Sequence, residues 1–255
     1  MIACVVLMLA RRDPSSADRV YPNYIHAMIY ESLRDTPDGA RYHSSNTAPF
    51  AIREIEPHAG GRLHVRIVFL DIRLLMPFYS RLRREKHIRL GAFHYKVEKI
   101  CLHPEDHPKA GIVGFHDLHR SGGAKKWRLT FAFTAFKHND MSILFPLPYH
   151  LVRSLHAKWA AFIRPSAEPP LGMKECVTAL ASGLIVSSHQ IGTSIYKVRP
   201  DLDLTTFSGL VTVENTHADP SSRELLNALL SLSPYAGTGW KCAYGMGRVN
   251  AVAIG

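Results

Sequence analysis

A mixed α+β chain built from two ferredoxin-like halves in tandem is the fold class this sequence predicts, and three observations predict it. The order strand, helix, two strands, helix, strand can be read twice along the 255 residues. A Pro-, Gly- and His-rich stretch over 103–123 separates the two passages and places the halves at 1–122 and 123–255. A glycine-rich loop at 237–247 then stands between the last helical stretch and the last strand.

Each element has a local cause. The apolar run 2–10 reads as a buried first strand, being too short to span a bilayer and carrying no basic leader before it. Over 24–33 the residues Ile25, Met28, Ile29 and Leu33 share one helical face, and the Asp-Thr-Pro-Asp-Gly at 35–39 stops the helix. Residues 62–70 alternate as a strand, 74–84 repeat at helical spacing, and 88–102 hold two strand-like pieces around Gly91. The interval 103–123 reads as a boundary with an inserted hairpin. In the second half 127–136 is a strand and 149–163 a helix with Leu151, Leu155 and Trp159 inward. Two strands follow at 183–198 and 205–214, then a helix at 223–232 and a closing strand at 248–254.

Charge narrows the function classes. Thirty-one Lys and Arg against 21 Asp and Glu leave +10, with 15 histidines in reserve, and such a surplus favours a polyanionic partner. Nucleic acid leads and a membrane surface trails. The four cysteines (Cys4, Cys101, Cys176, Cys242) are far apart, which argues against a zinc site or a disulfide framework and fits a reducing cytoplasm. His103, His107, His116 and His119 cluster, but without the acidic or cysteine partners that complete a metal site. No metal and no cofactor is expected.

Four glycines, Gly237, Gly239, Gly245 and Gly247, bracket Trp240, Lys241 and Tyr244. They permit positive φ and close approach, so the loop reads either as an anion cradle or as a tight connection. It lacks the Gly-Lys-Ser/Thr ending of a P-loop, which sets aside nucleoside triphosphates. His26 and Tyr30 stand four apart on the first helix, and His43 follows one loop later; imidazoles at neutral pH suit proton transfer. Arg81, Arg83, Arg84, Lys86 and Arg89, with Lys96 and Lys99 after them, read either as a solvated face or as a stripe that tracks a nucleic-acid backbone.

Several segments together resemble the endoribonucleases of CRISPR systems that cut precursor repeat RNA, a branch of the RAMP superfamily. They are Ile-His-Ala-Met-Ile-Tyr-Glu-Ser-Leu at 25–33, Tyr42-His43, Ala-Pro-Phe-Ala-Ile at 48–52, Leu-Thr-Phe-Ala-Phe-Thr-Ala-Phe-Lys at 129–137, Leu-Phe-Pro-Leu-Pro at 144–148, Phe-Ser-Gly-Leu-Val at 207–211 and the Tyr-Gly-Met-Gly of the glycine loop. The resemblance implies a tandem ferredoxin-like fold, CRISPR repeat RNA as partner, and attack of a ribose 2′-hydroxyl on the adjacent phosphate without a metal, leaving 2′,3′-cyclic phosphate and 5′-hydroxyl ends. It implies that His43 is the first choice for proton transfer, with Tyr30 and His26 assisting. The lysine some members carry just beyond the loop histidine is missing from 44–48, so Lys241, or Arg53 as a weaker choice, is the expected cation. The glycines and Arg81, Arg83, Arg84 and Lys86 are the expected RNA contacts. The rival is a non-catalytic RAMP subunit holding guide RNA beside other effector subunits; His26 and His43 favour the enzyme, as monomer or homodimer.

Overall fold

The computed structural model describes residues 1–13, 19–34, 36, 42, 47–120, 123–163 and 173–254. Two compact units emerge: Met1–Val113 with Lys197–Asp203 and Ala243–Gly245, and Gly114–Tyr196 with Leu204–Cys242 and Met246–Gly255.

In the first unit the unbroken apolar run of β1 (Ile2–Arg11) makes it the central strand. Ile2 to Leu7 are all buried, as a strand covered on both faces requires. Antiparallel β3 (Arg62–Phe69) and β5 (Phe93–Cys101) flank it, with β2 (Phe50–His58) outside β3 and β4 (His87–Leu90) outside β5. A short β6 (Gly111–Val113) pairs with the start of β1. Helix α1 (Pro22–Ser32) begins with Pro22, whose missing N–H costs nothing in a first turn, and buries Ile25, Met28 and Ile29. Helix α2 (Leu75–Glu85) precedes the β4–β5 hairpin. The strand order β2-β3-β1-β5, with β4 added at the edge, is the ferredoxin-like arrangement.

The second unit repeats it. After a short α3 (Phe115–His119), the strand β7 (Lys126–Thr134) takes the central place between β11 (Leu202–Asn215) and β12 (Arg248–Ala253), with β10 (Leu184–Arg199) outside β11. A two-stranded hairpin, β8 (Phe136–His138) and β9 (Met141–Ile143), follows β7. The helical layer consists of α4 (Pro148–Lys158), which runs on into a π-helical turn (Trp159–Ile163), α5 (Met173–Ser182), and α6 (Pro220–Ala236). Asp219 caps α6 by accepting from the Ser222 N–H at 2.8 Å. One buried amide ties sheet to helix: the Asn227 side-chain oxygen accepts from the Trp127 indole N–H at 2.9 Å and from the Asn215 amide at 3.0 Å, and its nitrogen donates to the Ala124 carbonyl at 2.8 Å.

The tandem ferredoxin-like expectation holds, and the departures are local. β2 escaped the sequence pattern because a bulge between Ile52 and Glu54 breaks its alternation and Pro57 interrupts its end, both tolerated on an edge strand. The hairpin expected within 103–123 is instead β6 on the edge of β1 followed by α3. No helix among the described residues is long and apolar enough to cross a membrane.

Asn227→Leu removes three hydrogen bonds, among them that of the buried Trp127 indole N–H, so the variant is expected to lose about 3 kcal/mol. At roughly 2–4 °C per kcal/mol for a chain of this size, thermal unfolding should show a fall of about 6–12 °C.

Candidate active site

Within the first unit, α1 presents His26 and Tyr30 one turn apart, and two further aromatics complete the group. The Tyr244 ring lies stacked on His26 at 3.9 Å between centroids and 15° between planes. Tyr30 stands 4.8 Å from His26, and Phe50, at the start of β2, packs at 5.8 Å from His26 and 5.4 Å from Tyr30. Burial, reinforced by the neighbouring Tyr244, pushes the Tyr30 phenol up, so it stays protonated at neutral pH and serves as a hydrogen-bond donor. His43 lies outside the described residues. Its predecessor does not: the Tyr30 hydroxyl donates to the Tyr42 carbonyl at 3.3 Å.

Tyr42 is itself fastened to the start of α2. Its buried hydroxyl donates to the Asp71 carboxylate at 2.5 Å and accepts from the Arg73 guanidinium at 3.1 Å, while Arg73 forks onto the same carboxylate at 2.7 and 3.0 Å. Burial would raise the Asp71 pKa, but hydrogen bonds from Arg73 and Tyr42 outweigh it and hold the carboxyl below its ordinary range. The position before His43 therefore has two anchors, one on α1 and one ahead of α2.

The basic stripe divides. Arg81 donates to the Glu31 carbonyl at the end of α1 and pairs with Glu85 at 2.8 Å, so it joins two helices. Arg83, Arg84 and Lys86 are exposed, with Arg83 reaching only to the Tyr79 hydroxyl at 3.3 Å. Arg53 is buried on β2.

In the second unit the glycine loop turns out to be held by its own amides. Gly237 N donates to Ser233 O at 2.9 Å, Thr238 N to Gly247 O at 2.9 Å, and Gly239 N to the Ser154 hydroxyl at 2.7 Å. Trp240 N donates to Ala135 O at 2.7 Å and Gly247 N to Phe133 O at 2.9 Å. These N–H groups are engaged within the protein, so an amide cradle for an anion is not what they form. Glycine is required for a different reason: at Gly239 (φ +85) a Cβ would overlap the Ala135 carbonyl oxygen, and at Gly247 (φ +65) the Thr238 carbonyl oxygen. Buried Lys158 fixes the loop from α4, its ammonium donating to the carbonyls of Ala236 at 3.0 Å and Gly237 at 2.8 Å and to Cys242 Sγ at 3.2 Å. A cation at the carbonyl end of α6 also complements that helix's dipole. Lys241 has φ 55 and lays its ammonium over the Trp240 ring at 4.7 Å.

Thus His26 and Tyr30 are brought together as their spacing suggested. Asp71 and Lys158 were not singled out by sequence reasoning, and Tyr244, Phe50 and Tyr42 entered it only as members of quoted segments, without a role. Tyr244 stands inside the quoted Tyr-Gly-Met-Gly, but its contact with α1 is long-range and leaves no local signal.

Two sheets of order β2-β3-β1-β5 and β10-β11-β7-β12, with a glycine loop before the last strand of the second, define a tandem ferredoxin-like protein. Residues 129–249 match the family model described as CRISPR-associated endoribonuclease Cas6, in agreement with the resemblance read from the sequence. Among solved structures, the chain is similar to a product complex of Cas6 (TTHB231), with TM-score 0.83, 24% identity, and coverage of 99% of this chain and 100% of that one. It is also similar to Thermus thermophilus Cas6 (TTHB231), with TM-score 0.72, 23% identity and coverage of 99% and 98%. A product complex of Cas6 (TTHA0078) gives TM-score 0.77, 24% identity and coverage of 98% and 99%. No curated protein matches the sequence.

Two outcomes are expected. Gly247→Ala should lower the unfolding temperature in the absence of any nucleic acid, because the clash is internal; an unchanged midpoint would place the need for glycine elsewhere. Asp71 contributes stability that is complete above the ordinary carboxylate pKa, about 3.9, and is lost as pH falls through its lower folded value. The stability gap between wild type and Asp71→Asn should therefore close on acidification, which urea titrations at pH 7 and below pH 4 would measure.

Proposed function

We propose that this protein is a metal-independent endoribonuclease that binds and cuts CRISPR repeat RNA in precursor transcripts. The observation that carries the reading is the cluster of His26 and Tyr30 on α1 with Tyr244 of the glycine loop, in a chain whose residues 129–249 match the Cas6 family model. The solved structures it resembles include complexes with product and with a substrate mimic, which supports RNA as the ligand.

The substrate's 2′-hydroxyl attacks the adjacent phosphorus as its proton is taken up, and the 5′-oxygen leaves as a proton is returned; the ends are a 2′,3′-cyclic phosphate and a 5′-hydroxyl. His43 is assigned one proton transfer and His26 supports the other. The Tyr30 hydroxyl, kept protonated by burial, exchanges its bond to the Tyr42 carbonyl for one to a non-bridging phosphate oxygen. Lys241 supplies positive charge to the backbone. Metal independence belongs to the same reading, in which His43, His26 and Tyr30 handle the protons of the substrate's own hydroxyl and leaving oxygen.

Cutting of a repeat RNA is expected to persist in excess EDTA, and a deoxynucleotide 5′ of the scissile phosphate to block it while binding stays normal. Loss of cutting on chelation, restored by magnesium, would falsify the mechanism. His43→Ala should reduce the single-turnover rate by about a hundred- to ten-thousandfold, with smaller losses for His26→Ala and Tyr30→Phe. A wild type that binds repeat RNA and never cuts it would mark a non-catalytic RNA-holding subunit.

A further inference from the structure

One arrangement in the second unit gives Lys241 a partner. Two ammonium groups share one indole: Lys137 Nζ sits 4.6 Å and Lys241 Nζ 4.7 Å from the Trp240 ring centroid. We propose that Lys137 and Lys241, held on Trp240, form a clamp for two neighbouring phosphates of the RNA backbone. The inference rests on the RNA-binding part of the proposed function and not on the cleavage step.

The clamp is built from both sides. Lys137 lies on β8, paired with Ser142 of β9, and its ammonium also donates to the Asp140 carbonyl at 3.0 Å across the hairpin turn. Trp240 is fixed by its own N–H on the Ala135 carbonyl, two residues before Lys137. Lys241 adopts φ 55, a left-handed conformation that side chains with a Cβ enter only at a cost. The loop would be more relaxed with glycine or asparagine there, so a strained lysine directed over the ring points to use of its charge. Because both nitrogens lie under 5 Å from one centroid, they are closer together than the Debye length of about 10 Å at 0.1 M salt and act on a ligand as a pair.

The ligand follows from the chemistry. The Trp240 ring is already engaged by two ammoniums, so what the site presents to a ligand is positive charge. Each ammonium keeps donors directed away from the indole, and two such cations side by side on a hairpin and an adjoining loop match successive phosphodiesters of a single strand. The amides of Gly237, Thr238, Gly239, Trp240 and Gly247 are engaged within the protein, and beside them the two ammoniums present positive charge.

The test is the salt dependence of affinity for a repeat RNA and for an oligouridine of equal length. Each single-strand phosphate neutralised contributes about 0.7 to the slope of log affinity against log salt, so Lys137→Ala with Lys241→Ala should flatten it by about 1.4. Lys241→Gly should flatten it by about half as much while keeping or raising the unfolding temperature, because glycine relieves the positive φ. The double arginine variant should retain the slope. Trp240→Leu, with both charges intact, should still weaken binding because the lysines lose their platform. An unchanged slope in the double alanine variant overturns the clamp. So does a variant whose rate at saturating RNA falls while its slope does not, which would confine Lys241 to the scissile phosphate. Wild type that binds oligouridine with the expected slope changes but leaves repeat RNA uncut sustains the clamp and sinks the nuclease reading; wild type that binds neither RNA at low salt sinks both.

Discussion

The hydrogen bonding of the glycine-rich loop is the constraint on which the rest of this molecule depends. A chain that leaves α6 and must enter β12 has amides engaged by the end of β7, by Ala135 between β7 and β8, and by the Ser154 hydroxyl. Two of its glycines sit so close to carbonyl oxygens that no Cβ fits. Lys158 adds a buried cation beneath, satisfying carbonyls that the end of α6 would otherwise leave open. The loop is therefore a rigid piece of the fold, and the Trp240 and Lys241 side chains inherit that rigidity. Pre-organised cations lose less freedom on meeting a ligand than cations on a loose tail.

The same economy appears in the first unit. Aromatic contacts around His26 fix an imidazole that would otherwise sample several rotamers, and the Tyr42, Asp71 and Arg73 network fixes the chain ahead of His43. Neither device touches a phosphate. Each limits the freedom of the groups it holds, His26 in one case and Tyr42 in the other.

How much of this could be read from the amino-acid sequence depends on range. β1 was legible because its apolar run is continuous, and α1 because Ile25, Met28 and Ile29 repeat at helical spacing. The pairing of His26 with Tyr30 follows from the same local rule. β2 was hidden by a bulge and Pro57, and α5 offers only Val177 and Leu180 as buried marks. Tyr244 reaches His26 across more than two hundred residues, a relation set by topology that no local pattern encodes. The glycines were recognised as special, with an anion cradle and a tight connection both open; at Gly239 and Gly247 what approaches is the protein's own carbonyl groups, a long-range relation that composition does not encode. Likewise Arg81 looks like its exposed neighbours in sequence, whereas its guanidinium joins α2 to α1.

The three tryptophans of this chain occupy unlike environments, and that gives the molecule a built-in optical probe. Trp127 is sealed in the core with its N–H on Asn227, and Trp159 is buried at the end of α4. Trp240 alone is half-exposed, and two ammonium groups sit against its ring. An indole's emission responds to nearby charge, so whatever draws those ammoniums away changes the light from one fluorophore while the other two supply a constant background. Occupancy of this corner can thus be followed in solution without any label.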